Sequence, residues 1–291
     1  MRCIFKLCFV VLLALNFLSD DVFAQEPYKI VCLISGPRSL STVFLRIIET
    51  RGDFIIYNEP TIPVYDKVHF KEYTKDWFRE DSHETFEDVK RNLFESQKLS
   101  NVFVKEMSFS SHDYYVNDLS FMKNSSIHFV FLLRNPHHTT LSFYNKVEEV
   151  SPMMSDLIGV KKLYHMYEMA LKHNPNPVQI IQSEDLYNSP QETINKFCKE
   201  LGIPYKEKAL KWKKYGENFQ GHKEWNEQKS GSIIHHWHGR AIESQKIGKP
   251  TVYDVDRLGN PTFSEVVSPE HRRELKRVYR ENLDYYRRFP R

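Results

Sequence analysis

The chain reads as an α/β protein, a three-layer doubly wound parallel sheet, and two observations predict it. Five apolar runs of strand length recur along it, and helical patterns with their own start and stop signals lie between and after them. The runs are KIVCLI (Lys29–Ile34), FIIY (Phe54–Tyr57), VFVKEM (Val102–Met107), IHFVFLL (Ile127–Leu133) and VQIIQ (Val178–Gln182). Short unbroken runs rich in Val, Ile and Phe are the pattern of strands covered on both faces. Strands alternating with helices imply parallel crossovers, and such sheets bind ligands at the carboxyl ends of their strands.

Taken in order, the first 24 residues stand apart. Arg2 and Lys6 precede an apolar stretch, Leu7–Leu18, and Val22–Ala24 offers a small-residue cleavage site, the pattern of a secretory signal peptide. That stretch is shorter than the roughly 20 residues that cross a bilayer. The expectation is export to a secretory lumen, periplasm or medium with no stable membrane span, an anchor formed by an uncleaved signal being the alternative. Residues 25–291 carry no repeat or long linker and read as one domain.

Charge and cysteines exclude several classes. With 41 Lys+Arg against 38 Asp+Glu, the balance of +3 is too small for a nucleic-acid face, so any electropositive site has to be local. Cys3 and Cys8 leave with the signal. Cys32 lies in a strand run and Cys198 in a helical pattern, so both are expected as buried free thiols rather than a bridge.

The first strand runs into ISGPRSLSTVFLRIIETRG, Ile34 to Gly52. Ser35, Gly36, Pro37, Arg38, Ser39, Leu40, Ser41 and Thr42 form a turn that opens a helix, with Ser41 as the expected N-cap. Backbone N–H groups and the positive helix end converge there, which suits an anion. The second Gly followed by Lys and Ser/Thr that a nucleoside-triphosphate loop requires is missing, which disfavours ATP or GTP.

FLLRNPHHTTLSFY repeats the strand-to-helix device. Arg134 ends the strand and Ser142 lies eight residues on, where both can reach a second phosphate. His137 and His138 are expected as exposed helix-start residues. Further on, Ser189, Pro190, Glu192 and Gly202 mark a helix with a capping box and a Gly stop, and Ser268-Pro269 opens another whose apolar stripe is Leu275, Val278, Tyr279, Leu283 and Tyr286. The late run HHWHGR, His235 to Arg240, crowds His side chains that diverge along the backbone, and no metal is expected there.

On the loop at Ser35–Thr42 and the Arg134/Ser142 pair, the sequence resembles the sulfotransferase family. It is most similar to bacterial-type members, whose motifs read here as SGPRSLST, Glu59-Pro60, Lys105-Glu106-Met107 and SEDLYNSP (Ser183–Pro190). The resemblance implies a P-loop-like fold and 3′-phosphoadenosine 5′-phosphosulfate (PAPS) as co-substrate, without a metal. It gives the 5′-phosphosulfate to the Ser35–Thr42 loop, with Arg38 as its cation and Ser39, Ser41 and Thr42 as ligands. It gives the 3′-phosphate to Arg134 and Ser142. Lys105 is expected against the transferring sulfonate, and Arg240 or Lys246 on a basic segment closing over the donor.

One departure matters. Cytosolic members place a His two residues after the strand-end Lys, where this chain has Met107. Glu59 is the replacement base this reading favours, with His112 second, because an attacking hydroxyl or amine has to lose a proton. The acceptor, a small molecule, glycan or protein, is left open. The stretches Tyr65–Phe78 and Ser110–Tyr115 are expected to face it. Two other readings stand beside the sulfotransferase: a catalytically silent nucleotide-binding module of the same fold, and a P-loop kinase.

Overall fold

The five expected strands all form, with edges within one or two residues of the apolar runs: β1 (Ile30–Ser35), β2 (Phe54–Asn58), β3 (Asn101–Met107), β4 (Ile127–Leu133) and β5 (Gln179–Gln182). This is a computed structural model, and it describes residues 28–70, 83–214 and 227–290. Every strand pairing in the sheet is parallel, in the order β2-β3-β1-β4-β5. β1 therefore lies centrally, and every residue in it is buried. A strand apolar from Ile30 to Ile34 suits that position because both its faces are covered.

Side chains alternate across the sheet. On one face Val31, Leu33, Phe103 and Leu132 pack against α1 (Ser41–Arg51) and the helix Pro190–Glu200. Phe44 of α1 stacks on Phe103, with ring centroids 6.0 Å apart, and meets Phe197 edge-on at 5.1 Å. On the other face Cys32, Ile34, Val104 and Phe131 pack against a larger helical layer. Counting helices of eight or more residues in chain order, α2 is Ile62–His69, α3 Phe86–Gln97, α4 Ser108–Asn117, α5 Pro136–Val147, α6 Val160–His173, α7 Pro190–Glu200, α8 Glu227–Glu243 and α9 Pro269–Tyr286.

Three local expectations need correction. Ser189 precedes α7, but its side chain makes no cap bond. The short helix Ser183–Asn188 runs directly into α7, so the Ser189 N–H already donates to the Asp185 carbonyl at 2.8 Å and cannot complete a box with Glu192. In α9, Leu275 and Val278 are buried as expected, whereas Leu283 is half-buried and the polar Asn282 is buried instead. Its Oδ1 accepts from the Val160 N–H at 3.0 Å, satisfying an amide that the start of α6 would otherwise leave open. His137 is 2% exposed rather than at the surface, because Phe263 and Tyr279 from the C-terminal segment close over its ring. The Ser268 cap does form, accepting from the His271 N–H at 3.2 Å.

Among the described residues no helix is long and apolar enough to cross a membrane. The leader, residues 1–24, lies outside the described residues. Cys32 and Cys198 are free and buried, and burial pushes both thiols up, Cys32 far beyond its usual range. Both are therefore expected to resist iodoacetamide in the folded protein and to react only after denaturation, a contrast that peptide mass mapping reads directly.

Candidate active site

The carboxyl ends of the strands present their chemistry in sheet order. Glu59 follows β2, Lys105 lies near the end of β3, the Gly36–Leu40 loop follows β1, and Arg134 follows β4. A cavity of about 620 Å³ lies over all four, within the roughly 300–1,000 Å³ of small-molecule sites.

The loop after β1 is tightly built. A Cβ on Gly36 would sit 2.7 Å from the Ile158 carbonyl oxygen, so no larger residue fits without moving backbone. Arg38 and Leu40 adopt left-handed φ of 61° and 69°. Leu40, rather than Ser41, is consequently the N-cap, and Ser41 is the first helical residue. Ser39 Oγ donates to the Gly36 carbonyl at 2.8 Å, and Ser183 Oγ donates to the Ser39 carbonyl. Non-Gly residues in this region cost roughly 1 kcal/mol or more each, and persist where the surroundings over-determine them.

The two strand-to-helix junctions meet. Arg38 Nε donates to Ser142 Oγ at 3.1 Å, and Arg134 Nη1 donates to the Arg38 carbonyl at 2.6 Å. Arg134 is 6% exposed, its Nη2 donates to the Thr251 carbonyl at 3.1 Å, and its Nε is buried with no partner. Among the described residues seven cations line the cavity (Arg38, Lys105, Arg134, Lys146, Arg240, Lys246 and Lys249) against two carboxylates, Glu59 and Asp66. Burial and then Arg134 hold the Arg38 guanidinium down to about 10, and burial followed by Arg38 and Arg240 lowers Lys146. Cations crowded out of water in this way are relieved by an anion. The small positive balance of the whole chain is thus concentrated at one place.

α8 roofs the loop. Arg38 Nη1 donates to the Trp237 carbonyl at 2.6 Å, and Thr42 Oγ1 pairs with His238 Nδ1 at 3.0 Å. Burial, then Lys105 and Arg38, hold the His238 imidazole well below its usual range. Arg240 Nη1 donates to Thr251 Oγ1 at 3.1 Å, and Lys246 also lines the cavity.

At the other end, Glu59 is 4% exposed and again left-handed, φ 57°. Its N–H donates to the Lys105 carbonyl at 2.6 Å, and its carboxylate pairs with Lys105 Nζ. The neighbouring Glu106 points to the opposite sheet face, accepts from the Thr61 N–H at 3.2 Å and Oγ1 at 2.8 Å, and is pushed up to about 8 by burial.

His112 is not brought to the cavity. α4 starts immediately after β3, which carries residue 112 onto the face packed against α6. There Nε2 pairs with His165 Nδ1 at 2.8 Å and Nδ1 with Asp113 Oδ1 at 2.5 Å. The Ser110–Tyr115 stretch likewise misses the cavity, and Tyr115 is fully buried core. Of Tyr65–Phe78, Asp66 and Phe70 reach the cavity and 71–78 lie outside the described residues. Lys146, His238 and Thr251 are lining residues that the sequence did not single out for this site. Lys146 stands four residues after Ser142 on α5, a spacing that could have found it.

A family model described as a sulfotransferase domain matches residues 28–244. The branched-chain-amino-acid aminotransferase-like protein 2 of Arabidopsis thaliana is 32% identical over 85 residues, which is 29% of this chain, and the chain spans only 14% of that relative's length. Among solved structures, the sulfotransferase domain of the Synechococcus PCC 7002 olefin synthase is 11% identical, with a TM-score of 0.48 over 91% of this chain and 96% of that one. A mouse sulfotransferase complexed with PAP is 12% identical, with a TM-score of 0.43 over 88% and 85% of the two chains.

Proposed function

Because this chain belongs to the sulfotransferase family, we propose that it moves a sulfonate from PAPS to an acceptor hydroxyl or amine by in-line displacement. The observation that carries this reading is the contact between the two junctions, Arg38 to Ser142 and Arg134 to the Arg38 carbonyl. One cavity thereby offers two adjacent anion cradles. A donor with phosphate at two ends fits this arrangement better than a single phosphate does. The orphaned Arg134 Nε fits close approach of an anion.

In this reading the acceptor's oxygen or nitrogen bonds to sulfur as the bond from sulfur to the bridging phosphate oxygen breaks. The electron pair leaves on 3′-phosphoadenosine 5′-phosphate (PAP). The acceptor's proton passes to Glu59. Lys105 exchanges its hydrogen bond with Glu59 for one to a sulfonate oxygen, which frees the Glu59 carboxylate for that proton. Arg38 offsets the charge gathering on the bridging oxygen and, as a guanidinium, acts by charge and hydrogen bonding rather than as an acid. Catalysis is then mostly positioning and charge stabilisation.

Calorimetric titration with PAP and with ATP plus magnesium tests the donor. PAP is expected to bind at least about tenfold more tightly, a difference of ~1.4 kcal/mol. Tighter binding of ATP would overturn the reading in favour of a kinase.

A further inference from the structure

The strand order sorts the cavity by charge. Arg134 and Ser142 stand at its β4 side, whereas Asp66, Ile62 and Phe70, from the helix that follows β2 and its C-cap, with Met107 at the end of β3 and Phe109 just after it, line the other side beyond Glu59 and Lys105. Asp66 comes from α2, the helix that starts three residues after Glu59. It is 7% exposed, and among the described residues its carboxylate has neither a hydrogen bond nor an ion pair. Lys105, the cation on the neighbouring strand β3, is committed to Glu59. Burial and the Glu59 carboxylate push Asp66 up to about 7.

A buried carboxylate without a donor is unfavourable, and a cation brought against it offsets that penalty. Among the described residues the other four side chains on that side, Ile62, Phe70, Met107 and Phe109, are apolar, two of them aromatic, and offer a flat hydrophobic body its contacts. Resting on the donor assignment above, we propose that the β2 side of the cavity selects an acceptor with an aromatic or apolar body and a cationic amine. Asp66 holds the amine, the apolar walls hold the body, and the nucleophilic hydroxyl is presented beside Glu59. Acceptors that put a carboxylate or sulfate near Asp66 meet two carboxylates and are rejected, so repulsion supplies part of the selectivity. Asp66 is in this account a specificity-determining residue for the acceptor.

Three phenols of similar shape separate the possibilities: tyramine, neutral 4-ethylphenol and anionic 3-(4-hydroxyphenyl)propionate. Each is titrated calorimetrically into the PAP-saturated full chain, as wild type, Asp66→Asn and Asp66→Glu. The wild type is expected to bind tyramine about tenfold more tightly than 4-ethylphenol and to bind the propionate most weakly, the size of one charge-assisted hydrogen bond. Asp66→Asn is expected to bring tyramine and 4-ethylphenol within about twofold, and Asp66→Glu to keep the amine preference.

PAP titration of each variant reports folding and the donor site separately. Equal affinity for tyramine and the propionate, binding of none of the three, or an amine preference that survives Asp66→Asn in a PAP-binding protein would each overturn the acceptor assignment alone. Failure of the wild type to bind PAP would remove the donor assignment and this one with it.

Discussion

Glu59→Gln is expected to lower kcat for sulfonate transfer by about 10³-fold, the middle of the range for loss of a positioned general base, while PAP affinity stays within about twofold of wild type. The split follows from where the parts of Glu59 act. Its backbone, left-handed at φ 57° and tied by its N–H to the Lys105 carbonyl, shapes the end of β2. Gln keeps that backbone and can still accept from Lys105 Nζ. What it removes is the capacity to take a proton. Single-turnover transfer measured beside PAP titration distinguishes this from a packing role, since a residue that only held the strand end in place would cost affinity and stability along with rate. A Glu59→Gln protein that transfers at more than about a tenth of the wild-type rate would transfer the base to another group.

Arg38→Ala and Arg134→Ala are each expected to weaken PAP binding by about 100-fold, which corresponds to ~2.7 kcal/mol and to the upper part of the range for hydrogen bonds to charged groups. The two residues are not independent. Arg134 Nη1 holds the Arg38 carbonyl, and Arg38 Nε holds Ser142 Oγ, so either truncation loosens the other junction. The double variant is accordingly expected to lose less than the product of the single losses. Lys at position 134 is expected to restore only part of the affinity, because an ammonium cannot reach both the Arg38 and Thr251 carbonyls in the fixed fork that the guanidinium uses. Unchanged affinity in both single variants would empty the assigned donor site.

The strands were legible because parallel strands buried on both faces leave continuous apolar runs, and β1 to β5 fall on the five such runs in the chain. The order β2-β3-β1-β4-β5 was not, since no local pattern records which strand lies beside which. The loop at Ser35–Thr42 and the pair Arg134/Ser142 could be read because each is a local strand-to-helix signature. Leu40 as N-cap could not: Ser41 has the better side chain for a cap, and nothing in the local sequence marks an apolar residue for left-handed φ. His112 was misplaced for the opposite reason. A residue close in sequence to a strand end was expected near that end, but α4 begins at once and its pitch takes position 112 to α6. His137 and Thr251 answer to partners more than a hundred residues away, beyond any local window.

The bonds from Arg38 to the Trp237 carbonyl and between Thr42 and His238 latch the doorway of the cradle with the chain's own atoms. A nucleotide that took those donors would have to break the latch first, so its measured affinity would be net of the exchange. A firmer contact between the late helix and the loop is accordingly expected to lower apparent affinity for PAP, and a weaker one to raise it.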